Sequence, residues 1–98
     1  MANSLKSAAF LMDSRLADAA RGNVQALFDL GVAYSTGSGG IDVDLIEAHK
    51  WFNLAALNGN EEAVHCRAEI SDEMTAREIA EAQKAARAWL NATQRRAA

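Results

Sequence analysis

Length, composition and charge restrict the class of this chain before any motif is considered. Its 98 residues are enough for one domain with a modest core. Half of them are hydrophobic and 23% are charged, which is a globular composition and not a disordered one. The net charge of −3 argues against a nucleic-acid partner, because phosphate binding needs clustered Lys and Arg. Only Arg95 and Arg96 are adjacent.

The sequence predicts a soluble, cytoplasmic protein that does not associate with membranes. Its single cysteine, Cys66, has no partner in the chain for a disulfide, which suits a reducing compartment. The apolar run of residues 8–12 ends at Asp13 and is too short for the hydrophobic region of a signal peptide. No stretch approaches the roughly 20 apolar residues of a membrane span.

The first third of the chain predicts two helices. Ser4 is a candidate N-cap for a helix that continues to about Arg21, with apolar residues recurring every three or four positions. Gly22-Asn23 then has the pattern of a helix stop followed by a new N-cap. We expect the second helix over residues 24–35. The abundance of alanine and the absence of proline from the sequence favour helices throughout.

The glycine-rich segment 37–40 predicts a loop before the third helix. Asp44 and Glu47 have the spacing of a capping box and predict that this helix begins there and ends near residue 57.

Two further helices are expected after a second glycine–asparagine pair. Gly59-Asn60 repeats the earlier stop-and-start signal and predicts a short fourth helix to about residue 70. Thr75 and Glu78 form another capping box, for a fifth helix to about Ala92. The chain is therefore expected to be all-α, with five helices.

An internal repeat underlies this organisation. Gly22-Asn23-Val24-Gln25-Ala26 recurs at residue 59 as Gly59-Asn60-Glu61-Glu62-Ala63, a period of 37 residues. Similarity at a period of 20–50 residues indicates stacked helix–turn–helix units.

A longer pattern extends across the two central helices. It comprises Ala26-x-x-x-Leu30-Gly31-x-x-Tyr34-x-x-Gly37, followed by Asp44-x-x-x-Ala48-x-x-Trp51-Phe52-x-x-Ala55-Ala56-x-x-Gly59. This pattern resembles the Sel-one-like repeat (SLR), a tetratricopeptide-related α/α solenoid family. With the helix that follows it, which begins Met74-Thr75-Ala76-x-x-Ile79-Ala80-Glu81-Ala82-Gln83, the chain is similar to the small stand-alone bacterial type of this family. The loop between the halves is one residue longer than is usual there. The resemblance implies a short solenoid in a single domain, 1–98, with a capping helix at 4–21, a full repeat at 22–59 and a degenerate second repeat at 60–94.

The resemblance also implies a function, namely a protein–protein adaptor or regulatory scaffold without catalytic activity or cofactor. Binding is then expected on the concave side, formed largely by the helix at residues 23–36. The candidate contact residues on that helix are Gln25, Phe28, Asp29, Val32 and Ser35. Phe28 and Val32 also allow a second interpretation, in which they pack against neighbouring helices of the stack.

A structural homo-oligomer is the alternative function. Phe10 and Leu11 flank the apolar stripe of the first helix and are the candidates for joining two chains.

A metal site or a reactive thiol is not expected. His65 and Cys66 are adjacent in one helix, so their side chains diverge by about 100° and cannot readily chelate one ion. His49, in another helix, could in principle meet one of them. No motif of a catalytic cysteine surrounds Cys66. A structural role is therefore expected for His49, His65 and Cys66.

Phosphate binding and acid–base catalysis have little support. The glycine segment 37–40 lacks the lysine and the strand context of a phosphate-binding loop. The pairs Glu61-Glu62 and Asp72-Glu73 lie at or near predicted helix N-termini, where negative charge is stabilising. A small hydrolase therefore stays a remote alternative.

Two packing predictions follow from the central helices. A glycine in mid-helix costs about 1 kcal/mol of helix propensity relative to alanine, so we expect Gly31 to permit a close approach of the third helix through Ala48 and Phe52, with Gly31 and Ala48 in contact. The third helix is apolar on most of its circumference, and we expect its Trp51 to be buried.

Overall fold

A computed structural model of the chain describes the backbone of residues 2–97 and the side chains of residues 9–94. Within these residues there are five α-helices and no strand, as expected for an all-α fold. The helices are α1 (Ala2–Ala20), α2 (Val24–Thr36), α3 (Leu45–Leu57), α4 (Glu61–Ser71) and α5 (Ala76–Ala97). None of the described helices has the length and apolar character that crossing a lipid bilayer requires. The side chains of the N-terminal part of the predicted α1 stripe, and of Arg95 and Arg96, lie outside the described residues.

The repeated glycine–asparagine pairs begin α2 and α4 in the same way. Asn23 accepts a hydrogen bond at its Oδ1 from the N–H of Ala26 at 3.0 Å, and Asn60 does the same for Ala63 at 2.9 Å. The glycine before each asparagine has a left-handed backbone, with φ of 86° at residue 22 and 96° at residue 59, which only glycine adopts without strain. The repeat in the sequence thus corresponds to the same turn formed twice, a left-handed glycine followed by an asparagine N-cap.

The two predicted capping boxes differ. At α5 the box is complete, because the Thr75 N–H donates to Glu78 at 2.8 Å and the Glu78 N–H donates to the Thr75 hydroxyl at 3.1 Å. At α3, Asp44 accepts from the N–H of Glu47 at 3.1 Å, but its own N–H donates to the carbonyl of Tyr34 at 2.9 Å. That backbone bond closes the glycine loop, and it leaves the Glu47 carboxylate to pair with Lys50.

The predicted limits of the outer helices were wrong at two places. Ser4 is not an N-cap, because α1 already begins at Ala2. The fifth helix continues past Ala92 to Ala97, since nothing in that segment ends a helix. It contains neither glycine nor proline, the residues that most strongly interrupt one.

The core is centred on α3, which packs against α2, α4 and α5, while α1 packs against α2. The largest fully buried side chains are Leu27, Leu30, Trp51, Phe52 and Leu54. Trp51 is 1% exposed, as expected. The close approach at Gly31 involves Phe52, as expected: the three atoms nearest to a β-carbon placed on Gly31 all belong to the Phe52 ring, the closest at 2.5 Å.

Candidate protein-interaction surface

A groove of about 290 Å³ lies between α1 and α2. Helix α1 contributes Leu11, Arg15 and Asp18, and α2 contributes Gln25, Ala26 and Asp29. The α1 residues are three or four positions apart, which places them on one helical face. The groove therefore combines one face of each helix, and it contains two of the candidate contact residues from α2.

Gln25 and Asp29 form one polar unit on the wall of this groove. The side-chain amide of Gln25, which is exposed, donates to the Asp29 carboxylate at 2.9 Å. On the facing helix, Asp18 pairs with Arg21. Arg15 has no ion pair among the described side chains. The groove thus offers both a carboxylate and a guanidinium to a polar ligand.

The other three candidate contact residues are half-buried on α2. The ring of Phe28 lies 5.6 Å from that of Phe52, tilted by 55°. Val32 also packs against the core, and its carbonyl accepts the Ser35 hydroxyl at 3.1 Å. The structure therefore divides the predicted set: Gln25 and Asp29 line the groove, whereas Phe28 and Val32 have much of their surface against the core.

The two candidates for self-association are accessible on α1. Phe10 is 75% exposed and Leu11 is 48% exposed. Leu11 also lines the groove, so a contact between copies at this position would compete with any ligand of the groove. Arg15 and Asp18 were not among the predicted contacts, although their spacing from Leu11 along α1 is a signal that the sequence contains.

An aromatic cluster joins α3 to α5 on another side of the molecule. The Trp51 and Trp89 rings meet edge to face at 4.8 Å. The Lys50 ammonium lies 4.2 Å from the centre of the Trp51 ring and 3.1 Å from the Glu47 carboxylate. Cation–π and ionic contacts of this kind fix the side chains, so the cluster serves packing. The buried Trp51 Nε1 has no hydrogen-bond partner among the described residues.

The histidines occupy contrasting places. His49 is 3% exposed, and its Nδ1 has no hydrogen-bond partner among the described residues. Burial lowers the pKa of His49 below its ordinary value, and the positive charge of Arg67 on α4 lowers it further. Arg67 is held by a hydrogen bond of 2.6 Å to Asn53 on α3. His65 is exposed.

The surroundings of the lone thiol disfavour its ionisation. Cys66 is half-buried, and desolvation raises its pKa, with further increases from Glu62 and Glu69. Thiolates, not thiols, are the reactive form. Among the side chains that the structure describes, no three His, Cys, Asp or Glu residues come together in a way that would hold a metal ion.

Comparison with known proteins identifies the central helix pair. A family model described as the Sel1 repeat matches residues 24–60, a segment that begins with α2, includes the glycine loop and α3, and ends at the N-cap of α4. A search of curated proteins and one of solved structures give no match. The matched segment contains the signature positions of the sequence pattern together with the close contact between Gly31 and Phe52. Residues 24–60 of the chain therefore form a Sel1 repeat.

Proposed function

We propose that this protein is an adaptor or regulatory scaffold without catalytic activity, which binds a partner protein at the groove between α1 and α2. Sel1 repeats generally mediate protein–protein interaction, and the groove supplies a place for it. The observation that supports the site most directly is the position of Gln25 and Asp29 in the groove wall.

The chemistry of the groove suggests the kind of segment it receives. Arg15 lacks an ion-pair partner among the described side chains, while Asp29 retains acceptor capacity beyond its bond to Gln25. Leu11 adds an apolar wall. A partner segment with an acidic and a basic side chain beside an apolar one matches these three features. Phe28, Val32 and Ser35 would extend the contact along α2 with the parts of their surface that stay accessible.

A charge-reversal experiment tests this site. Tagged wild-type protein should capture a partner protein from a lysate of the source cells, and Gln25→Lys/Asp29→Lys should fail to capture it. The variant should also bind the purified partner more weakly than wild type does. The matched control is Glu81→Lys/Gln83→Lys on α5, where both residues are exposed and the change in charge is the same. Thermal melts establish that both variants fold.

The outcome is decided by comparing the three proteins. Interface residues that matter cost roughly 2 kcal/mol or more, about thirtyfold in affinity. Capture that is equal in all three proteins, or no specific capture by wild type, would contradict the proposal.

A homo-oligomer is the second candidate, favoured by the exposure of Phe10 and Leu11. In that case light scattering at micromolar concentration would give a multiple of the 10.5 kDa chain mass, and Phe10→Ser/Leu11→Ser would restore the monomer. A wild-type monomer would favour the adaptor.

The proposal places the protein in the cytoplasm, with a protein as partner and not nucleic acid. A lone thiol such as Cys66 stays reduced in that compartment. The net charge of −3 disfavours binding to phosphate backbones.

A further inference from the structure

The outer face of α5 is basic, although the chain as a whole is acidic. Helix α5 contains five basic and two acidic residues, a net charge of +3, whereas the whole chain has −3. Three of the basic side chains, Arg77, Lys84 and Arg87, are exposed. Their spacings of seven and three residues place them on one side of the helix, opposite the buried Ala82 and Ala86. This basic face is therefore turned away from the core.

The positive charges of the basic face are not neutralised within the described part of the molecule. None of its three cations forms an ion pair with a described side chain. Of the two acidic residues of α5, Glu78 is engaged in the capping box with Thr75. Glu81 is exposed and lies by its spacing beside Arg77 and Lys84, but it forms an ion pair with neither. Most of the positive charge thus stays available to another molecule.

Helix stability does not account for these cations. Arg77 is the second residue of α5, at the end where the helix dipole favours negative charge. Lys84 and Arg87 are three residues apart, where like charges repel each other. Their outward neighbours, Ala80 and Ala88, are exposed and small, so the cations are accessible to a second surface. Binding explains charges that folding alone disfavours.

The spacing of the cations indicates the shape of a segment that fits them. A rise of 1.5 Å per residue separates Arg77 from Lys84 by about 10 Å along the axis, and Lys84 from Arg87 by about 5 Å. Glutamates at positions i, i+3, i+7 and i+10 of a second helix reproduce both intervals in either direction of that helix. Side chains on one side of an extended strand are nearly 7 Å apart, which matches neither interval. The cations therefore suit an acidic helix.

The class of partner follows from what accompanies the cations. The net charge of −3 disfavours a nucleic acid. A helix that lies on an anionic membrane needs large apolar side chains beside its cations, and the large apolar side chains that the described part of the chain exposes are all outside α5. We propose that the basic face of α5 is a docking site for an acidic helix of a partner protein, separate from the groove between α1 and α2.

A designed peptide is the probe for this site. It is a fluorescein-labelled helix of alanine and glutamine with glutamates at positions i, i+3, i+7 and i+10. A second peptide has the same composition, with its four glutamates distributed around the helix. Fluorescence anisotropy at low ionic strength should show saturable binding of the first peptide to the wild-type chain, and binding of the second that is weaker by about fivefold or more. Added salt should weaken both, because it screens exposed charges.

Substitutions on α5 should change the affinity for the first peptide in opposite directions. Arg77→Gln/Lys84→Gln should weaken it by about fivefold or more. Glu81→Gln should strengthen it, because this change removes the carboxylate that lies beside the cations. The matched control is Ala17→Glu/Ala68→Glu, which alters the net charge equally at exposed positions of α1 and α4 and should bind as wild type does. The melting temperature of Arg77→Gln/Lys84→Gln should be no lower than that of wild type.

Several results would overturn the proposal. They are no saturable binding by wild type, equal binding of the two peptides, and an affinity or a stability that shows the cations serve folding instead. Tighter binding to phosphatidylserine vesicles or to duplex DNA than to the peptide would assign the basic face to a membrane or a nucleic acid. A dimer that Arg77→Gln/Lys84→Gln dissociates would make a second copy the occupant. Failure here is distinguishable from failure at the groove, because Gln25→Lys/Asp29→Lys leaves α5 unchanged.

Discussion

The ring of Phe52 lies directly against the backbone of Gly31. A β-carbon on Gly31 would be 2.5 Å from Cδ1 of that ring and 2.9 Å from Cγ, distances far shorter than a normal carbon–carbon contact. Phe52 has little room to withdraw, because it is 2% exposed and its other neighbours include the Phe28 ring at 5.6 Å. The glycine therefore sets how closely α2 and α3 approach.

We expect Gly31→Ala to destabilise the protein, although alanine is the better helix former. The gain in helix propensity is about 1 kcal/mol, and overpacking of a filled core costs about 1–3 kcal/mol. A net loss in the free energy of unfolding, measured by urea denaturation, is the expected result. In a Phe52→Leu protein, where the ring is gone, Gly31→Ala should cost less free energy of unfolding than it does in wild type. A double-mutant cycle measures this difference. A Gly31→Ala protein as stable as its parent would remove the packing explanation.

Truncation of Phe28 and Val32 tests whether these residues belong to the core. Because both pack against it, we expect Phe28→Ala/Val32→Ala to lower the melting temperature by several degrees or more. About 1 kcal/mol moves the melting temperature of a domain of this size by roughly 4–8 °C. Gln25→Ala/Asp29→Ala, on the polar wall of the groove, is the control and should melt within a degree or two of wild type. An unchanged melting temperature combined with weaker partner binding would instead assign Phe28 and Val32 to the interface.

Trp51 should be among the most costly residues to truncate. It is 1% exposed and packs edge to face on Trp89, so Trp51→Ala is expected to cost about 3–5 kcal/mol. In a Trp89→Phe background, the emission of Trp51 should be shifted to the blue of indole in water. Emission at the wavelength of free indole would contradict its burial.

The buried His49 predicts a loss of stability in mild acid. Its pKa is lowered in the folded state, first by desolvation and then by Arg67, whereas in the unfolded chain it is about 6.5. Below that pH the unfolded state binds a proton that the folded state does not, so the free energy of unfolding falls as pH decreases toward the folded pKa. The contribution is fully present above about pH 7.

The pH dependence is measured by urea denaturation between pH 8 and pH 5. We expect His49→Gln to show a smaller fall than wild type over this range, whatever its stability at pH 8. His65→Gln is the matched control, since His65 is exposed, and its profile should follow that of wild type. Parallel profiles for wild type and His49→Gln would show that another group is responsible.

The turns of this fold were predictable because they depend on local chemistry. Gly22-Asn23 and Gly59-Asn60 each combine a left-handed glycine with a side-chain cap, and both effects are properties of neighbouring residues. Ser4 shows the limit of that reasoning. A residue that can cap a helix does so only where the helix begins, and α1 begins before it.

Contacts between helices were less accessible from the sequence. Helical spacing places Ala48 and Phe52 on the same face of α3, but it does not say which of them meets Gly31, and the structure places Phe52 there. The candidate site also depends on a contact between helices that spacing along one helix does not reveal. Spacing along α2 groups Gln25 and Asp29, whereas Arg15 enters the groove only because α1 packs alongside.

The central position of α3 has a consequence for the order in which the molecule opens. Amide protons exchange with solvent through the opening of lowest free energy that exposes them. Helix α3 is covered by three other helices, so its amides should exchange only when the whole domain unfolds. Helix α1 packs mainly against α2 and should exchange through smaller openings that leave α3 protected. Because α1 forms one side of the groove, a partner bound there would have to be released before α1 could open, so occupancy by a partner should slow exchange throughout α1.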